Sequence, residues 1–145
     1  MAQRSKTIIS ALFAATVFLT GVLGIGESSA ATTGITRTNS GGGVTVKATY
    51  VHAQETDEAR FEVVLDTHSA SLDAYDLKAL SLLRDDTGNT YQPIRVENKG
   101  SGHHREITVV FPKAASAAKR LELVIKDIAG IKERSFLWDL DDKKK

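Results

Sequence analysis

Three of the four histidines in this chain stand near carboxylates, and those are the residues whose types and spacing could do chemistry. His68 comes two residues after Asp66 and is followed by Asp73 and Asp76, while His103 and His104 stand together behind Gly100 and Gly102. Imidazole nitrogens with a carboxylate oxygen form a ligand set suited to Cu(II) or Zn(II). The spacing therefore predicts a metal site from His68, Asp73, Asp76, His103 and His104. A second reading uses the same groups differently: the histidines and Arg105 hydrogen-bond to the aspartates and lock one loop onto its neighbour. Adjacent histidines on a strand point to opposite faces, which favours this second reading over two imidazoles on one ion.

Other chemistries find less. His68 and Ser69 beside Asp66 or Asp73 lack a Gly-x-Ser-x-Gly elbow and an evident oxyanion donor, so a hydrolytic triad is not expected. Asp85, Asp86 and Asn89 are oxygen donors, but they lack the full calcium-loop pattern and suit a hairpin turn. The chain has no cysteine and its one methionine is Met1. Blue-copper electron transfer needs a cysteine thiolate, and Cu(I) handling needs soft sulfur, so neither is expected. The protein is expected not to be an enzyme.

The N-terminus reads as an export signal. Arg4 and Lys6 precede an apolar run over 7–25, followed by Glu27 and the small residues Ser28 and Ala30. A basic start, an apolar middle and small residues at the end predict a signal peptide over 1–30, cleaved after Ala30, and a secreted or periplasmic protein. The run is long enough that an uncleaved anchor is the alternative. No other membrane contact is expected. Taking Arg4 and Lys6 from 19 basic residues and Glu27 from 18 acidic ones leaves 17 of each. Such a balance gives no electrostatic case for nucleic acid.

The elements that must position the histidines are strands. Residues 31–43 are rich in Thr, Ser, Asn and Gly and read as a flexible linker. Val44, Val46, Ala48 and Tyr50 then alternate with polar residues, the period of a half-buried strand, which His52 closes. Similar segments follow over 60–66, 79–84, 90–97, 107–111, 121–126 and 131–140, with Gly88 in a hairpin turn and Pro93 marking a sheet edge. Phe136 and Trp138 share a face, and Trp138 is expected in the core opposite Phe61 or Val109. The charged residues 141–145 are expected to be a disordered tail. Seven short strands with no helical period predict a seven-stranded antiparallel immunoglobulin-like β-sandwich over 44–140. Up-and-down strands put the loops after Asp66 and before Arg105 at one end, with the 127–130 turn and the glycines before Val44; His52 falls at the other end.

Several segments together carry a likeness to known proteins. Asp66-Thr67-His68-Ser69, Leu72-Asp73, Tyr75-Asp76-Leu77, Leu83-Arg84-Asp85-Asp86-x-Gly88, Tyr91-x-Pro93, Gly102-His103-His104-Arg105 and Phe111-Pro112 resemble a pattern in an uncharacterised family of small exported bacterial immunoglobulin-like β-sandwich proteins. The chain is more loosely similar to copper-resistance type periplasmic sandwiches. That second likeness implies Cu(II) held by His and Asp at one end. The expectation is thus an exported binding domain that takes Cu(II) or Zn(II) at the His68 and His103 end. Its alternative is an envelope protein-interaction or assembly module in which the His, Asp and Arg cluster is structural.

Overall fold

In the computed structural model the described residues are 34–51 and 57–140. The expected signal peptide over 1–30, His52 and the tail 141–145 lie outside them. The strands are β1 (Thr36–Gly41), β2 (Val44–Val51), β3 (Glu58–Thr67), β4 (Ser81–Asp85), β5 (Thr90–Tyr91), β6 (Arg95–Ser101), β7 (His104–Pro112), β8 (Arg120–Ile128) and β9 (Ile131–Asp139), with one short helix, α1 (Leu77–Leu80). They form two antiparallel sheets, one ordered β1-β2-β3-β7-β6 and the other β5-β4-β8-β9. Among the described residues no helix is long and apolar enough to cross a membrane.

The alternating pattern explains the layers. Val44, Val46 and Ala48 on β2, Phe61, Val63 and Leu65 on β3, and Ile107, Val109 and Phe111 on β7 are all buried on one face of the five-stranded sheet. Leu83, Leu121, Leu123, Ile125, Phe136 and Trp138 face them from the other sheet and complete one core. Each such aliphatic or aromatic side chain contributes about 1.5–3 kcal/mol by leaving water. The Phe61 ring lies 5.2 Å from Trp138 and 5.8 Å, edge-on, from Phe111. Trp138 donates from its indole N–H to the Ile35 carbonyl at 2.7 Å, so its one polar atom is satisfied.

The strands number nine among the described residues, not the seven expected, for two reasons. First, β1 occupies much of the stretch expected to be a linker over 31–43, joined to β2 by the two-residue turn Gly42-Gly43. Both glycines have positive φ, at 61° and 76°, as such a turn requires. Second, the segment expected as one strand over 90–97 is broken at Gln92-Pro93-Ile94. Its first part, β5, pairs with β4, and its second part, β6, pairs with β7 in the other sheet. Pro93 has no N–H for a ladder and is buried where the chain crosses between sheets. The chain crosses again over 68–80 and 113–119.

Side-chain donors tie β1 sideways to the second sheet. Arg37 Nε donates to the Leu137 carbonyl at 2.9 Å, and Arg134 donates to the carbonyls of Asn39 and Gly41 and to Asn39 Oδ1. One side of the two-sheet stack is closed by these bonds. On the opposite side β5 is two residues long, and among the described residues β6 has a hydrogen-bonded neighbour only at β7.

Candidate functional site

Four turns and connections meet at one end of the stack. Thr67 closes β3, its hydroxyl donating to the Gly43 carbonyl at 2.9 Å and its N–H to the His103 carbonyl at 3.0 Å. The connection over 68–76 then passes toward the second sheet. Its Leu72 is fully buried and donates its N–H to the Gly102 carbonyl at 2.8 Å. Tyr75 presents its hydroxyl to the Ala129 N–H at 3.0 Å, which ties the β8–β9 turn to the same end.

Arg105 organises this end from inside. It is 6% exposed, and its guanidinium donates to the carbonyls of Leu72 at 2.6 Å and Tyr75 at 2.9 Å and to Asn98 Oδ1 at 2.7 Å. A planar fork with several fixed donors suits three acceptors in different directions, which a lysine cannot match. Without it the Tyr75 carbonyl would lose its donor, the Leu72 carbonyl would keep only the Tyr75 N–H at 3.2 Å, and the exposed Asn98 would turn to water.

The five residues expected as ligands are each placed differently. Asp73 Oδ1 accepts from the Gly102 N–H at 2.8 Å and its Oδ2 from the Ser71 hydroxyl at 3.0 Å. Those bonds hold the Asp73 carboxyl below the usual carboxylate range. Asp76 caps α1 by accepting from the Lys78 N–H at 2.9 Å. His103 lies in the β6–β7 turn with Nδ1 against the Ala70 carbonyl at 2.8 Å. His104, on the outer face of the five-stranded sheet, has Nδ1 bonded to Asp66 Oδ1 and Nε2 3.4 Å from Glu106 Oε1. His68 is exposed on the connection.

Among the described residues no three His, Asp or Glu side chains converge as a metal-holding group. Asp73 and His103 contribute to the same loop lock, while Asp76 is committed to a helix end and His104 to the sheet's outer face. His103 is held in the turn against Ala70 while His104 opens β7 and bonds to Asp66, so the two imidazoles go to different partners. His104 instead belongs to a chain of charge: its hydrogen bonds to the Asp66 and Glu106 carboxylates raise its pKa, and Lys47 lies 3.8 Å from Asp66. Asp66 is thus engaged by His104 and Lys47, not by His68 as a triad would need.

Two more polar centres lie elsewhere. Asp85, in the β4–β5 turn, accepts from the Thr87 N–H and hydroxyl, the Asn89 N–H and side-chain amide, and the Tyr91 hydroxyl. Burial alone would raise its pKa, but these donors outweigh it and hold the carboxyl well below the usual range. Arg134 is fully buried and bonded to carbonyls and Asn39, with no partner for its Nε among the described residues; burial depresses its pKa. The alternation through Phe136 and Trp138 places Arg134 on the inward face, a signal already present in the sequence.

An open groove of about 210 Å³ on the outer face of the four-stranded sheet is lined by Arg84, Asp85, Asp86, Arg120, Glu122 and Leu137. Its charges are matched internally: Arg84 reaches Glu122 at 3.5 Å and Glu133 at 3.3 Å, and Arg120 reaches Asp139 at 2.8 Å. Compared with models of protein families, with curated proteins and with solved structures, the chain matches none. The resemblances drawn from its motifs rest on those residues alone.

Proposed function

We propose that this chain is an exported, non-enzymatic protein-interaction or assembly module on an immunoglobulin-like sandwich, with the His, Asp and Arg end serving as its internal lock. Export rests on the basic and apolar start followed by Ser28 and Ala30. The immunoglobulin-like description draws support from the two antiparallel sheets and the repeated crossings between them. The observation that carries the interaction reading is β6: among the described residues it is a seven-residue sheet edge, paired on one side and largely exposed. A sheet edge with free N–H and C=O groups takes an added strand by main-chain hydrogen bonds, with side chains giving selectivity. The metal reading, by contrast, needs ligands in one place, and four of the five residues serve three separate local roles while His68 is exposed on the connection.

The test is site-specific photo-crosslinking in the producing cell, with the reactive residue at position 99 on β6 or at position 132 beside the β8–β9 turn. Both lysines are exposed. Adducts from position 99 and none from position 132 are expected. Adducts from 132 alone, or from neither, would sink the reading.

A further inference from the structure

We infer that β6 pairs with β6 of a second copy of this chain, antiparallel about a two-fold axis at Asn98, so that two five-stranded sheets run on as one. This rests on the reading of β6 as the binding element and names its partner.

The register follows from the hairpin. Gly102 and His103 form a two-residue turn between Ser101 and His104. The residues closing such a turn exchange hydrogen bonds, and bonded and non-bonded pairs then alternate along an antiparallel ladder. Ser101, Lys99, Glu97 and Arg95 therefore turn their main-chain groups toward β7. Asn98 and Val96 turn theirs outward, and Gly100, left-handed at φ 77°, ends the regular run. Side chains alternate with the same period: Asn98 reaches inward to Arg105, while Arg95, Glu97 and Lys99 lie in a stripe of alternating charge on the outer face.

A two-fold pairing must set outward-facing residues against outward-facing residues. About Asn98 it opposes Val96 and Gly100, and it puts Glu97 of each copy across from Lys99 of the other. Centres at Glu97 or Lys99 would oppose like charges. A centre at Val96 opposes Arg95 and Glu97, but Arg95 is already held by both oxygens of Glu58, at 3.3 and 3.1 Å, and by Glu97 at 3.0 Å. Lys99 makes no ion pair among the described residues, so the Asn98 axis supplies the partner it lacks. Edges kept apart carry charges that repel when the strand meets its own reverse. The stripe on β6 matches its own reverse. Pro93 at one end and the positive φ of Gly100, 77°, at the other keep the contact short, which places it among weak, transient interfaces.

The experiment is sedimentation velocity on the protein as recovered from the producing cell, over a concentration series reaching about 1 mM. Wild type should sediment as a monomer–dimer equilibrium. Lys99→Glu and Glu97→Lys each place like charges across the axis and should weaken association at least about tenfold. An equimolar mixture of the two single variants should recover it, and so should the double variant Glu97→Lys/Lys99→Glu. All these positions are exposed, and circular dichroism of each variant checks that it folds. A wild type that stays monomeric throughout, or single variants that associate as wild type does, would overturn the inference. The mass of the position 99 cross-link then separates the two readings: an adduct with another protein alone leaves the interaction module standing, and no adduct removes both.

Discussion

Replacing Arg105 with methionine tests whether the loop end is a lock. The substitution keeps an unbranched apolar stem and removes the guanidinium, leaving the Tyr75 carbonyl and the Asn98 amide oxygen without their donor and the Leu72 carbonyl with only the Tyr75 N–H at 3.2 Å. Hydrogen bonds from a charged group contribute about 1.5–3 kcal/mol each, and an acceptor left unpaired away from water costs about 1–3 kcal/mol. Full additivity would overstate the loss, since Asn98 is exposed and can turn to water and methionine no longer carries a buried charge. A net cost of about 3–4 kcal/mol follows, a large share of the total for a domain of this size. It would lower the unfolding temperature by about 10–20 °C. Arg105→Lys should recover part of this, because an ammonium keeps the charge but reaches fewer of three diverging acceptors. Urea unfolding at fixed pH measures the cost, and hydrogen exchange should show the Leu72 N–H losing protection in step. An Arg105→Met variant within about 1 kcal/mol of wild type, with Leu72 still protected, would refute the lock.

Trp138→Ala should cost about 3–5 kcal/mol in the same assay, since the indole is 3% exposed and packs on Phe61; a loss below about 1 kcal/mol would contradict that packing. His104 should titrate above about 6.5 by nuclear magnetic resonance, and Asp66→Asn should bring its midpoint down. Because its folded pKa is raised, the stability from this histidine is present below its unfolded pKa and disappears as pH rises through the folded value, so the gap in unfolding temperature between wild type and His104→Gln should shrink as the solution is made alkaline. A midpoint at or below about 6.5 would break the link to Asp66 and Glu106. Excess Zn(II) or Cu(II) should shift the unfolding temperature equally for wild type and a His68→Ala/His103→Ala variant; a shift seen in wild type alone would restore the metal site.

How far the sequence spoke depended on where each residue's partners lie. The strands with an apolar and a polar face, such as Val44 to Tyr50 and Phe61 to Leu65, carry their own period and were legible. β1 carries none: Thr36, Arg37, Thr38, Asn39, Ser40 and Gly41 are polar or small, and what holds them is β2 through a glycine turn and Arg134 from far along the chain. The division of 90–97 between two sheets was equally hidden, because Pro93 signals an edge without saying that the chain leaves one sheet for the other. At the loop end, counting strands was enough to bring the segments around Asp66 and Arg105 together. It could not give side-chain direction: Asp73 turns to the Gly102 N–H, Asp76 to the start of α1, and His104 across to Asp66 on β3. The first two choices depend on main-chain donors that appear only once the loops are folded, and the third on which residue of β3 the register sets beside His104.

The fastening of β1 also bears on how the protein can change over generations. Trp138 and Arg134 grip it by the carbonyl oxygens of Ile35, Asn39 and Gly41, and a carbonyl oxygen is supplied by any amino acid. The outward side chains Thr36, Thr38 and Ser40 make at most exposed hydroxyl contacts, to Thr49 and Thr45, and can drift at small cost, whereas Arg134 and Trp138 on the gripping side cannot, and Gly42 is fixed by its positive φ and its close approach to Ala129. In a saturation library, tolerance should run along β1 itself and intolerance should gather on β9, nearly a hundred residues downstream. A strand whose place is set by readers of its backbone leaves little trace in its own letters.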